Sequence, residues 1–418
     1  MSVDLIGIGA RPGKPVKKYG EPNVNYFRLA SIQRHGDGKG SKRALMVVSH
    51  FLKWIYTANA GERAAAAAAL ARTYVDRKLP FEDRCAAEAA LTLLLDDPSA
   101  KVRLAMAEVL AMSRHAPLQV ISALASDQPE VAGLILARSP LLTDADLIDR
   151  VASGQSATQK LIADRPVVSM ALAAAVAEVA DADACMILLA NTDASIAALS
   201  FRRMAERHGH VGRLREALIA DARLPAECRH MLLVKLGEAL KGAPLVVALM
   251  GPARAERIMK DACVRASLTL IDGTKPEEHE ALIAHLQVRG DLTASFIVRT
   301  VANGKIDFFG SALVVLTGQS KDRVRALLAN GNDIALSAVF RSAGLSETVH
   351  RVLVRALKVW REVANGKKVA GTQEVSWLML KELGGQEATG DLAGLLKSIH
   401  LDALRDNARG HALAIAAA

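Results

Sequence analysis

A two-residue signature, Leu or Ile followed by Ala, recurs through the middle of the chain. Each time it closes an apolar helical run and opens a short polar turn. It stands at Leu110-Ala111, Leu136-Ala137, Ile162-Ala163, Leu189-Ala190 and Ile219-Ala220, at spacings of 26, 26, 27 and 30 residues. The turns that follow read MSRHAP, RSPL, DRPV, NTDA and DARLP. A second apolar stripe begins after each turn, as in Val120-Ile121-Leu124, Leu147-Ile148-Val151 and Leu172-Val176-Val179. A unit this short holds a pair of short helices. One pair cannot bury its own apolar face, so neighbouring pairs must stack.

The residue types agree with that reading. Hydrophobic residues make up 51% of the 418, yet only 4% are aromatic. Ala, Leu and Val dominate, and these suit helix formation and close helix packing better than they suit strands. Pro80, Pro98, Pro117, Pro129, Pro140, Pro166, Pro225 and Pro244 punctuate the apolar runs, most of them where a helix should begin, since proline is tolerated in the first turn. The expected fold class is all-α, an α-solenoid of stacked short helix pairs.

Four regions are expected. Residues 1–43 form a Gly/Pro-rich basic arm without periodicity. Residues 44–240 carry the regular repeats, 241–365 continue them less regularly, and 366–418 form a helical tail.

One unit is more specific. Asp97-Pro98-Ser99-Ala100-Lys101-Val102-Arg103-Leu104-Ala105 resembles the D-P-x-x-x-V-R-x-x-A segment of HEAT repeats, with its Ala one place early. In that reading Asp97 caps the helix, Pro98 takes its first position, and Val102, Ala105-Met106 and Val109-Leu110 form the buried stripe. The wider pattern resembles an uncharacterised alphaproteobacterial family, a domain of unknown function with degenerate HEAT-like repeats. The residues that carry this likeness are Leu161 to Pro166, Leu188 to Asn191, Asp307-Phe308-Phe309, Arg323 to Leu328 and Phe340 to Leu345. It spans roughly residues 60 to 365 and implies a fold and a bacterial cytosolic setting, but no activity.

A search for chemistry finds no HExxH, GxSxG, phosphate-binding loop or dinucleotide fingerprint. Gly7-Ile8-Gly9 opens a glycine string, but Pro12 stands where its third glycine would be. His208 and His210 are two apart, and His279 and His285 six apart. Neither spacing puts two ligands on one helical face. No catalytic, cofactor-binding or metal residue is assigned, no cofactor is expected, and the chain reads as a non-enzyme. Cys85, Cys185, Cys228 and Cys263 form no CxxC pair and read as reduced thiols packed in helices, which points to the cytoplasm. No apolar stretch is long enough to span a bilayer, so no membrane partner is expected.

The net charge of +9 is local. Residues 1–43 hold nine Lys/Arg against three Asp/Glu, and residues 341–368 hold seven against two, so the rest is near neutral. Over 349–363, Arg351, Arg355 and Lys358 make a basic stripe opposite the apolar stripe of Val349, Leu353, Ala356 and Trp360. Arg138, Arg165, Asn191 and Asp221 stand at corresponding turns and should form one polar edge. These seven residues are the candidate partner-binding set. The leading expectation is a protein–protein interaction scaffold. The alternatives are a nucleic-acid binder using the arm and the 349–363 helix, and an enzyme without a recognised motif.

Overall fold

The computed structural model describes residue 54 and residues 57–76, 79–384 and 390–417. The basic arm lies outside the described residues. Every regular element among those described is helical: 22 α-helices and a short 3-10 turn at Pro276–Glu278. The chain divides into two compact units between Ala132 and Gly133.

The first unit holds α1 (Ala60–Val75), α2 (Phe81–Leu94), α3 (Ala100–Leu110), α4 (Leu118–Leu124) and the start of α5 (Pro129–Arg138). Helix α1 packs on α3, and α2 on α4. The stripe expected from the HEAT-like segment is realised in part: Val102, Met106 and Leu110 are fully buried, while Ala105 and Val109 are half-buried.

Its cap is not. Helix α3 starts at Ala100 with Ser99 as its N-cap residue, so Asp97 and Pro98 precede the helix. Asp97 instead takes a bidentate ion pair from Arg63 (2.8 and 3.0 Å) and accepts the Ser99 amide at 2.9 Å. Arg103 pairs with Asp127 (2.5 and 2.9 Å) and donates to the Asp97 carbonyl. The carboxylate is thus a strut between helices that pack side by side.

The second unit opens within α5. Next come α6 (Asp144–Ser153), α7 (Ser156–Ala163), α8 (Met170–Val179), α9 (Ala182–Ala190), α10 (Ala198–His208), α11 (Gly212–Ala220) and α12 (Ala226–Lys241). Helices two apart in the chain lie side by side: α6 with α8, α8 with α10, α10 with α12, and likewise α7 with α9 and α9 with α11. Every Leu/Ile-Ala signature falls in the last turn of a helix or at its C-cap. Local chemistry starts the helices. Thr143 and Asp146 form a reciprocal capping box, and Ser169 and Asp181 accept the amides of Leu172 and Ala184.

Beyond α12 the pattern loosens into α13 (Pro244–Met250), α14 (Pro252–Asp272), α15 (His279–Arg289), α16 (Ala294–Ala302), α17 (Ile306–Thr317), α18 (Lys321–Asn330), α19 (Asp333–Ser342), α20 (Glu347–Ala364), α21 (Thr372–Glu382) and α22 (Asp391–Ala417). Helix α20 is central to this part. Its Val352, Leu353, Ala356 and Leu357 sit in one core with Phe309, Phe340, Val375, Met379 and Leu396. Trp360 closes that core, its indole N–H donating to the Val301 carbonyl at 2.8 Å. Gly304 makes room for it. Its φ is +74°, and a Cβ there would lie 3.1 Å from the Trp360 ring.

Candidate functional site

The repeat turns are held together by a recurring device. A helix C-terminus leaves carbonyls without intrahelical partners and carries partial negative charge, so a cation or amide donor is favoured there. In this chain the donor comes from the following repeat. Arg165 donates to the Leu136 carbonyl and, at 2.7 Å, to that of Ser139, at the end of α5. Asn191 donates to the carbonyls of Ala163 (3.2 Å) and Arg165 (2.8 Å), at the end of α7. Arg223 reaches those of Leu189 and Ala194, both at 3.3 Å, past the end of α9.

The alternate helices use the same device. Arg207 donates to Ala177 (2.7 Å) and Val179 (3.0 Å) at the end of α8. Lys235 donates to Ala205 (2.9 Å) and Glu206 (2.6 Å) near the end of α10. Arg361 closes α18 through the carbonyls of Leu327, Leu328 and Gly331 at 2.7–2.9 Å.

These bonds revise the reading of the polar edge. Arg165 is only 8% exposed, so it is an internal brace where a surface residue was expected. Burial pulls its pKa below the ordinary guanidinium value, partly offset by Asp144. Asn191 and Asp221 are half-buried. The Asp221 carboxylate is held by the Arg223 side chain (2.8 Å) and backbone amide (2.8 Å), and its carbonyl accepts from Arg229 at 2.6 Å. Burial alone would raise its pKa, but the bonds from Arg223 outweigh that and hold it below the usual carboxylate range. Arg138 is exposed. Arg165 and Asn191 also line a recess of about 300 Å³ with Asp164, Pro166, Ile187, Ala190 and Thr192.

On α20 the basic stripe divides. Arg351 and Lys358 are exposed and Arg355 is half-buried. Lys358 pairs with Asp333 at 2.7 Å. Arg361, one turn further on, points inward onto α18. Sequence reasoning missed Arg207, Lys235 and Arg361 as braces. Arg207 and Lys235 are separated by about one repeat, and a cation recurring at the repeat period near a helix end is the signal that would have found them.

The histidines and cysteines divide between the interior and the surface. Among the described residues no group of three or more His, Cys, Asp or Glu side chains could hold a metal ion. His208 contacts the Ala180 carbonyl at 3.1 Å, while His230 and His279 are buried. Of the four cysteines, Cys185 and Cys228 are buried, Cys263 is half-buried, and Cys85 is exposed where a packed thiol was expected. In the α2 sequence the apolar face runs through Ala87, Ala90, Leu91 and Leu94, and Cys85 falls off it.

These observations define a class: a chain all-helical in its described residues, in which helices two apart pack side by side from α6 to α12 and side chains from further along seal the ends of α5, α7, α8, α9, α10 and α18. The chain belongs to a bacterial family described as an uncharacterised protein conserved in bacteria (DUF2336), whose model matches residues 131–393. The match opens later than the expected residue 60 and runs past 365, and it begins within two residues of the second compact unit. No curated protein and no solved structure matches the chain.

Proposed function

We propose that this protein is an interaction scaffold, an α-solenoid of degenerate HEAT-like repeats that binds another protein along its repeat surface. The observation that carries the reading is the serial brace from Arg165, Asn191, Arg207, Arg223 and Lys235. It fixes each helix pair to the next through main-chain carbonyls and leaves the outward side chains at liberty to vary. The partner surface in this reading is the exposed set of Arg138, Arg351 and Lys358 with the half-buried Arg355. Arg165, Asn191 and Asp221 support it from within.

The test is cross-linked affinity capture of the full chain from its bacterial host, followed by identification of the retained protein. The pair Arg355→Glu and Lys358→Glu should release the partner while the melting temperature stays within a degree or two, as surface changes usually allow. A partner retained undiminished by that variant and by Arg138→Glu would remove this surface from the proposal.

A further inference from the structure

Helix α13 is built unlike the other described helices. Its seven residues, PLVVALM, include no polar side chain, and none of them is buried. Leu245 is 70% exposed, Leu249 74% and Met250 42%. The helix packs against α12 and α14, its neighbours in the chain. From Glu238 to Ala266, Ala255 is the only buried residue. Proline opens both α13 and α14, and Gly251 between them has a φ of +75° with nothing within 4 Å of a built Cβ. The turn is a defined apolar tip that contributes nothing to the core.

Charge surrounds the tip. Lys241 pairs with Glu256 at 2.8 Å, and Arg299 approaches Asp261 at 4.0 Å. Arg254, Arg257 and Lys260 are exposed on the α14 side, with Glu238 opposing them on α12. The rim is therefore cationic on balance once the paired carboxylates are set aside.

We infer that the α13–α14 tip is a docking surface for an anionic lipid bilayer. An amphipathic helix that docks into a protein groove keeps a polar back. A helix apolar around its whole circumference matches a medium that is apolar on all sides. At about 1.5 Å per residue its seven residues reach roughly 10 Å, the depth of the headgroup–acyl boundary rather than of a bilayer. Arg254, Arg257 and Lys260 then meet the anionic headgroups. No described helix is long and apolar enough to cross a membrane, and a surface contact requires none.

The experiment uses the full chain with vesicles of phosphatidylcholine alone and of phosphatidylcholine mixed with phosphatidylglycerol. The basic residues 1–43 would attract the mixed vesicles by charge alone, so the deciding readout is local. The fluorescence of the Leu249→Trp variant should be quenched by brominated phosphatidylcholine in mixed vesicles, above the signal of the unaltered chain. The affinity for mixed vesicles read by flotation should fall by about a hundredfold or more in Leu245→Ser with Leu249→Ser, the scale expected for losing two leucines buried in the bilayer. Neither side chain is buried, so the melting temperature of that variant should hold. Arg254→Glu with Arg257→Glu should lower binding to mixed vesicles further than binding to neutral ones. No added quenching in the Leu249→Trp variant, or flotation unchanged by the serine pair, overturns the inference. So does a concentration-dependent dimer that the serine pair abolishes, which would assign the tip to a second copy.

Discussion

Asn191 reaches back one repeat to the carbonyl of Arg165, 2.8 Å away, while the guanidinium of Arg165 reaches back one repeat further to the carbonyl of Ser139. The two residues are links of one chain of caps. Each satisfies a helix end that would otherwise hold buried, unpaired carbonyls, and such groups are costly to leave unmade.

Arg165→Glu should therefore behave as a core change. It removes the donors to Leu136 and Ser139 and sets an anion against a helix C-terminus. The expected loss is about 2–4 kcal/mol in denaturant unfolding, the range for breaking a buried charged network. Arg138→Glu on the exposed side of the same turn should change stability by no more than about 0.5 kcal/mol. Equal melting of the two variants would show that the brace carries no weight.

Acid should loosen the contact between α12 and α15. His230 and His285 meet edge to face with centroids 5.3 Å apart, and each has one buried ring nitrogen without a partner. Burial, helped by repulsion from His285 and Arg289 and opposed by Asp291, pulls the His230 pKa down to about 4. The folded chain refuses a proton that the unfolded chain accepts near pH 6.5. Stability from this group is complete above that pH and falls as pH drops from about 6.5 to about 4, by an amount on the order of 3 kcal/mol. His230→Phe should flatten the pH dependence of unfolding across that window. A slope unchanged by the substitution would assign the acid sensitivity to other groups.

Thiol chemistry should sort the cysteines by position. Burial pushes Cys185 and Cys228 up to about 12, so neither forms thiolate at neutral pH. Cys85 is exposed and should be alkylated first by iodoacetamide, as read by peptide mass spectrometry. Cys185 and Cys228 should react only on unfolding. Early labelling of Cys185 in the native protein would contradict its placement in α9.

The strut in the first unit gives a further test. Burial works to raise the Asp97 pKa, but the bonds from Arg63 and the Ser99 amide outweigh it and hold the carboxyl below its usual range. Arg103 does the same for Asp127. The stabilisation is present above the ordinary carboxylate pKa and is lost as pH falls through the depressed values. Asp97→Ala should lower the melting temperature at neutral pH, because it leaves Arg63 without its carboxylate partner. It should also reduce the acid dependence of unfolding below about pH 4. Thermal melts across that range would show an unaltered acid limb if the pair were incidental.

Much of the helical plan was legible because it is written in neighbouring residues. The Leu/Ile-Ala signature marks helix ends, since apolar periodicity stops where the chain turns. Val102, Met106 and Leu110 follow 3.6-residue spacing into the core. What was not legible depends on partners far along the chain. Arg165 in a DRP turn reads as a surface charge, because the carbonyls it meets lie 26 and 29 residues upstream. Asp97 reads as a helix cap because the competing Arg63 stands 34 residues away. The α13 tip was passed over because a short apolar run in a hydrophobic chain looks like core until its exposure is known.

The braces all point one way: donors lie 26 to 34 residues downstream of the carbonyls they meet, from Arg165 to Arg361. On the ribosome, each of these helix ends must wait for the next repeat to be made before it is sealed. At about 5–20 residues per second that interval is roughly 1–7 s. From Arg165 to Lys235 the braces would then set in chain order, with the ends of about two successive helices open at any moment as the nascent chain grows.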